Sequence, residues 1–246
     1  MDDKDSSRSG SRQPVSRRQF LQAAAVTVPG VALLGCHNSQ PHAELAAANA
    51  PGALYLNDAE KNFLDAAVDR LIPPDAAGAG AREAGVVTFI DRQLGGPYGL
   101  AQTWYMRGPW QKGTDEQGYQ SKLDPAQMYR AAIRDIQAYC EQQYHKSFEK
   151  LSPDDQDAVL HGLEKGEIDL PDAPAKEFFT MLWQNTQQGY LADPMYGGNQ
   201  NFAGWKLIGF PGPRYNYVAE IEQYGKPYTL PTVGLKGRGN LHRDGG

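Results

Sequence analysis

Between residues 57 and 191 apolar positions recur with helical spacing, and no segment sustains the two-residue alternation of a half-buried strand. The first predicted helix begins at Asn57, three residues before Glu60, a capping pair, and places Phe63, Leu64, Ala67, Val68 and Leu71 on one face. Pro73 and Pro74 stop it. A second covers residues 82–94, with Val86, Phe89, Ile90 and Leu94 inward. The longest opens at Asp124-Pro125 and runs to about residue 144 on a stripe of Met128, Ala132, Ile133, Ile136, Tyr139 and Cys140. Ser152, Pro153 and Asp155 read as cap, first turn and completed capping box of a fourth. A fifth starts near Pro174, with Phe178, Met181, Leu182 and Asn185 on one side. The pattern predicts an all-α fold: an irregular bundle of about five helices with long aromatic and Gly-rich loops and an extended C-terminal arm.

Two aperiodic segments interrupt this pattern. Residues 95–123 are rich in aromatics and predict an ordered loop. Residues 193–217, "DPMYGGNQNFAGWKLIGFPGPRYNY", are dense in glycine and aromatics and carry charge only at Asp193, Lys206 and Arg214. Gly197-Gly198 permit positive φ or close backbone approach. Pro211 and Pro213 fix direction, and Tyr196, Phe202, Trp205 and Phe210 supply apolar area. Two readings stay open here. The segment seals the protein's own core, or it forms an aromatic contact surface for another protein. On the second, the candidate interface residues are Tyr196, Gly197, Gly198, Asn199, Phe202, Trp205, Phe210 and Pro211. Residues 218–246 predict an extended tail, either frayed or laid over a partner through Tyr224, Tyr228, Leu230 and Leu235.

The N-terminus adds a destination. Residues 1–35 read as a twin-arginine signal, with Arg17-Arg18 followed by Phe20-Leu21 and a short apolar run, residues 23–34, too short to span a bilayer. Such a signal implies the twin-arginine translocase and a periplasmic location. "LLGC" resembles a lipoprotein leader and makes Cys36 a candidate lipidation site, although Leu34 is bulkier than usual there. Cleavage near Ala48-x-Ala50 is the alternative. Residues 36–56 read as a tether before the helical domain of residues 57–217. A lone acyl chain binds membrane marginally, so inner-membrane association would rest on partners as well.

Composition narrows the chemistry. A net charge of −5 gives no electrostatic case for nucleic acid. Of two cysteines only Cys140 lies in the domain, so there is no CxxCH for covalent haem and no four-cysteine site for zinc or iron–sulfur. "GAGAREAG" has Glu83 at the third glycine position and no preceding strand, against dinucleotide binding. His145 and His161 are the two histidines outside tether and tail, and a noncovalent haem on them is the one enzyme reading retained. The residues point to no catalytic group. A free-standing or lipid-anchored sugar-binding protein is the alternative to a partner-binding subunit.

"DPMYGGNQNFAGWKLIGFPG" after "GYLA", with "DRLIPPD", "REAGVVTFID", "GYQ" at residues 118–120 and the leader, resembles the gluconate 2-dehydrogenase subunit 3 family. The resemblance implies a non-catalytic small subunit of a periplasmic dehydrogenase complex. It implies a large partner of the glucose–methanol–choline type that holds FAD, and a multihaem cytochrome c subunit. It further implies that the small subunit carries the export signal and escorts the flavoprotein. No cofactor is expected in this chain.

Overall fold

The computed structural model describes residues 55–111, 113–114 and 117–236. Arg17, Arg18, Phe20, Leu21, Cys36 and most of the tether lie outside them. Six α-helices follow in order: α1 Asp58–Leu71, α2 Val86–Leu94, α3 Pro125–Tyr144, α4 Pro153–Lys165, α5 Ala175–Leu191 and α6 Ala203–Leu207. Single 3-10 turns stand at Phe148–Lys150, Pro194–Tyr196, Gln200–Phe202 and Val218–Glu220. Among the described residues there is no strand, so the fold is all-α as the periodicity predicts. No helix among them is long and apolar enough to cross a membrane.

The caps follow the sequence closely, with two departures. Asn57 accepts from the Glu60 amide and Glu60 reaches back to the Asn57 amide (both 2.9 Å), a complete capping box. Asp124 and Gln127 make a second box ahead of Pro125 at the first turn. At α4, Ser152 accepts from the Asp155 amide (3.2 Å), but the Asp155 carboxylate takes the Ser152 hydroxyl (2.6 Å). Aspartate is one methylene shorter than glutamate, and the box predicted there closes between side chains instead. The second helix starts at Val86, four residues later than predicted, because Gly85 is left-handed (φ 74°) and residues 81–85 form turns.

α5 is the hub, packing against α1, α2, α3, α4 and α6. Phe178 and Leu182 are fully enclosed, and Phe178 meets Tyr129 of α3 edge-on at 5.4 Å. Phe63 of α1 packs on Phe148 at 4.8 Å. Burying such rings contributes about 2–3 kcal/mol each relative to exposure. Cys140 is buried on α3, and burial, with Glu149 nearby, pushes its thiol pKa up to about 12, so it is inert as a nucleophile.

Three buried polar side chains tie the bundle together. Asp91, on the apolar face of α2, accepts the Tyr55 and Leu56 amides (2.6 and 2.8 Å) and pairs with Lys61 at 3.4 Å. Glu60 receives Arg130 of α3 at 2.9 Å, and that guanidinium also covers the Tyr55 ring. Asn185 of α5 accepts from Tyr98 (3.1 Å) and donates to Tyr129 (2.9 Å). Each bridges elements far apart in sequence. Removing one partner would strand a buried polar group at about 1–3 kcal/mol.

Candidate functional site

The segment that resists a periodic reading is built on the C-terminal end of α5. A helix end leaves carbonyls without intrahelical partners. Here later side chains supply them: the Trp205 indole N–H donates to Leu191 O (2.7 Å) and the Asn199 amide to Ala192 O (2.8 Å). The other end of Asn199 accepts the Gly204 amide at 2.9 Å, so one fully buried side chain spans the block. Gln200 ties it to the N-terminal side of α2, its backbone amide donating to Ala84 O (2.9 Å).

The paired glycines have different reasons. Gly197 is left-handed (φ 106°), whereas a Cβ on Gly198 would overlap the Gly189 carbonyl of α5. Gly204 sits likewise against the Tyr190 carbonyl. Asn199, Asn201 and Phe202 are also left-handed, at φ 48°, 55° and 58°. For Phe202 that is strained backbone, held by the stack of its ring on Trp205 at 5.5 Å and 16°. Asn199 is a candidate by its position in the motif, but no composition signal shows that its side chain closes the fold.

The eight candidate interface residues therefore divide. Gly197, Gly198, Asn199, Phe202 and Trp205 are buried within the chain. Tyr196 and Phe210 are 47% and 39% exposed, and Pro211 is half-buried, its carbonyl accepting the Val233 amide at 3.2 Å. The sequence reading misses the rest of the outward side. Leu191, Leu207 and Ile208 all stand exposed beside this cap, Ile208 at 60%. A shallow apolar groove of about 620 Å³ adjoins Leu191 and Tyr196, floored by Phe89 and Ala192.

Over the described residues 212–235 the tail bends back on itself. It leaves the cap at Gly212 and returns: Leu235 donates its amide to Asp193 (2.6 Å), and Arg214 bonds Pro231 O. Asp193 also accepts the Met195 amide (3.0 Å), so one carboxylate fastens both cap and arm. Between those ends, Tyr215, Val218, Ile221, Tyr224 and Leu230 point to solvent, Tyr215 completely. The segment is a long surface loop with local ties, closed at its base and apolar on its outside.

The remaining candidates are elsewhere. His145 is the exposed left-handed residue that ends α3, and His161 lies on the exposed face of α4 against Glu164 (3.2 Å). Among the described residues no group of three His, Cys, Asp or Glu side chains could hold a metal.

What the geometry defines is a helical domain with an aromatic cap at the end of its central helix. The family model for gluconate 2-dehydrogenase subunit 3 matches residues 58–212, and the chain belongs to that family. The match runs from the first residue of α1 through the cap and stops at the root of the arm. Membership makes the chain a subunit of a gluconate 2-dehydrogenase-type complex with other subunits. No curated protein and no solved structure matches it.

Proposed function

We propose that this chain is the non-catalytic small subunit of a periplasmic FAD-dependent dehydrogenase complex, docking on the flavoprotein and escorting it through the twin-arginine pathway. The observation that carries the reading is the outward side of the cap, with Tyr196, Leu207, Ile208 and Phe210 exposed beside an arm that exposes Val218, Ile221 and Tyr224. Exposed apolar side chains on the cap and on the arm bonded to it favour a protein partner, and aromatic anchors commonly dominate such contacts. The inward side of the cap fixes the outward side in place, which lowers the ordering cost of binding. In this reading FAD belongs to the large subunit and haem c to a cytochrome subunit. The complex associates with the inner membrane through its partners and, where Cys36 is lipidated, an acyl chain.

The test is co-expression with the large subunit, scoring periplasmic dehydrogenase activity. Omitting this chain, or replacing Arg17 and Arg18 together by Lys, is expected to leave the flavoprotein in the cytoplasm. The Lys pair preserves charge, so a loss reports recognition of the arginines themselves. Equal periplasmic activity with and without the chain would end the escort reading.

A further inference from the structure

Along α5 lies a cleft of about 1600 Å³, lined on one side by Tyr98, Trp104, Trp110 and Tyr119 and on the other by the segment of residues 166–188, with Gln188 shared with the groove beside the cap. One wall is a single stripe of α5: Glu177, Thr180, Gln184 and Gln188, spaced by three or four residues and so stacked on one helix face. Facing it are aromatic rings. Trp104 meets Tyr98 at 5.7 Å and Tyr119 at 5.0 Å, both edge-on, and Trp110 is 41% exposed. The floor is fixed by the Tyr98–Asn185–Tyr129 hydrogen bonds. Among the described residues, none gives a hydrogen bond or ion pair to the side chains of Glu177, Gln184 or Gln188. The Glu177 carboxyl is held above the usual carboxylate range by burial alone.

The chemistry of this wall is specific. Carboxamides and a carboxylate offer both donors and acceptors, which match hydroxyl groups, and tryptophan and tyrosine faces match apolar C–H surfaces. The cleft exceeds the range of about 300–1,000 Å³ for ordinary small-ligand sites, so it has room for several sugar rings. Its charge selects further. Glu167, Asp169, Asp172 and Glu177 line it against Lys122 and Lys176, and Asp172 is already paired with Arg134. Among the described lining residues acidic groups outnumber basic ones, so an anionic sugar acid would be repelled there and a neutral saccharide would not. We infer that the cleft between the Trp104–Trp110 loop and the Glu177–Gln188 stripe of α5 binds a neutral oligosaccharide.

The purified full chain should be titrated with maltotriose and cellotriose, and separately with gluconate, by calorimetry and tryptophan fluorescence. Two of the four tryptophans, Trp104 and Trp110, line the cleft and supply the optical signal. At least one trisaccharide is expected to bind saturably with a Kd in the low millimolar range, and gluconate about tenfold or more weaker. The double variant Gln184→Ala/Gln188→Ala, at exposed helix positions, should keep the melting temperature and weaken the trisaccharide about tenfold. Trp110→Ala tests the opposite wall with the same expectation. No saturable signal for either trisaccharide up to about 50 mM overturns the inference, as does binding that survives in both variants or equal affinity for gluconate. If instead the glutamine variant loses only its flavoprotein partner, the cleft seats protein and the inference is wrong. None of these outcomes depends on the export assay.

Discussion

The aromatic cap and the arm that follows it are neighbours in sequence and alike in composition, yet they fold by opposite rules. In the cap, Trp205, Phe202 and Asn199 turn inward because the end of α5 offers carbonyls to satisfy and two close backbone approaches to fill. The arm has no helix end to close. It is held by local bonds of its own, among them Arg214 to Pro231 O and Tyr217 to Gly212 O, and by Asp193, and Tyr215, Val218, Ile221 and Tyr224 stay outside. Glycine, proline and aromatics thus do not by themselves decide burial. An unsatisfied neighbour does.

Substitutions can break this contrast in graded ways. The largest effect is expected from Gly198→Val, whose side chain would overlap the Gly189 carbonyl. The loss should be on the order of 4–5 kcal/mol, enough to abolish folding of a marginal domain, read as lost soluble yield and lost helical dichroism. Trp205→Ala comes next, at about 3–5 kcal/mol for the cavity together with the lost indole bond to Leu191 O. It should lower the melting temperature of the free subunit and leave binding per folded molecule unchanged. Weaker binding at unchanged melting would place Trp205 in the docking surface after all.

Outward positions should behave the other way. Leu207→Ser with Ile208→Asp is expected to change stability by no more than about 1 kcal/mol while reducing flavoprotein pull-down tenfold or more. Unchanged pull-down would move the docking surface off the cap. The smallest effect is expected from Asp193→Ala, about 1 kcal/mol in melting, because it removes a turn cap and the tie to Leu235. Its signature is faster limited proteolysis within residues 212–235 while the helices stay protected. Equal cleavage rates would mean that Asp193 does not hold the arm.

The helices are legible because their apolar stripes are local: Phe63 to Leu71 or Met128 to Cys140 can be read one turn at a time. The capping pair Asn57–Glu60 and the Asp124-Pro125 helix start are legible for the same reason, whereas Gln127 as the second half of the Asp124 box is seen only in the structure. What cannot be read is the partnering of buried polar groups. Asp91 looks like a solvated carboxylate until the Tyr55 and Leu56 amides, more than thirty residues away, arrive on it. The motif marks residues 193–212 as special, but its division into inward and outward halves depends on where α5 ends. Glycine spacing does not carry that. Leu191, Leu207 and Ile208 escape notice because an isolated aliphatic side chain carries no signal of exposure.

The capping of α5 by Trp205 and Asn199 also fixes an order of events during synthesis. The carbonyls of Leu191 and Ala192 receive these two donors only after the chain has been made some seven to fourteen residues further. The central helix, which touches every other helix, therefore has its C-terminal end completed only by residues made after it. Leu207, Ile208 and Phe210 take their outward places in that same closing step, since the Phe210 amide bonds back to Trp205 O (2.8 Å). The outward apolar face of the cap is thus complete only once the chain has been made through Phe210.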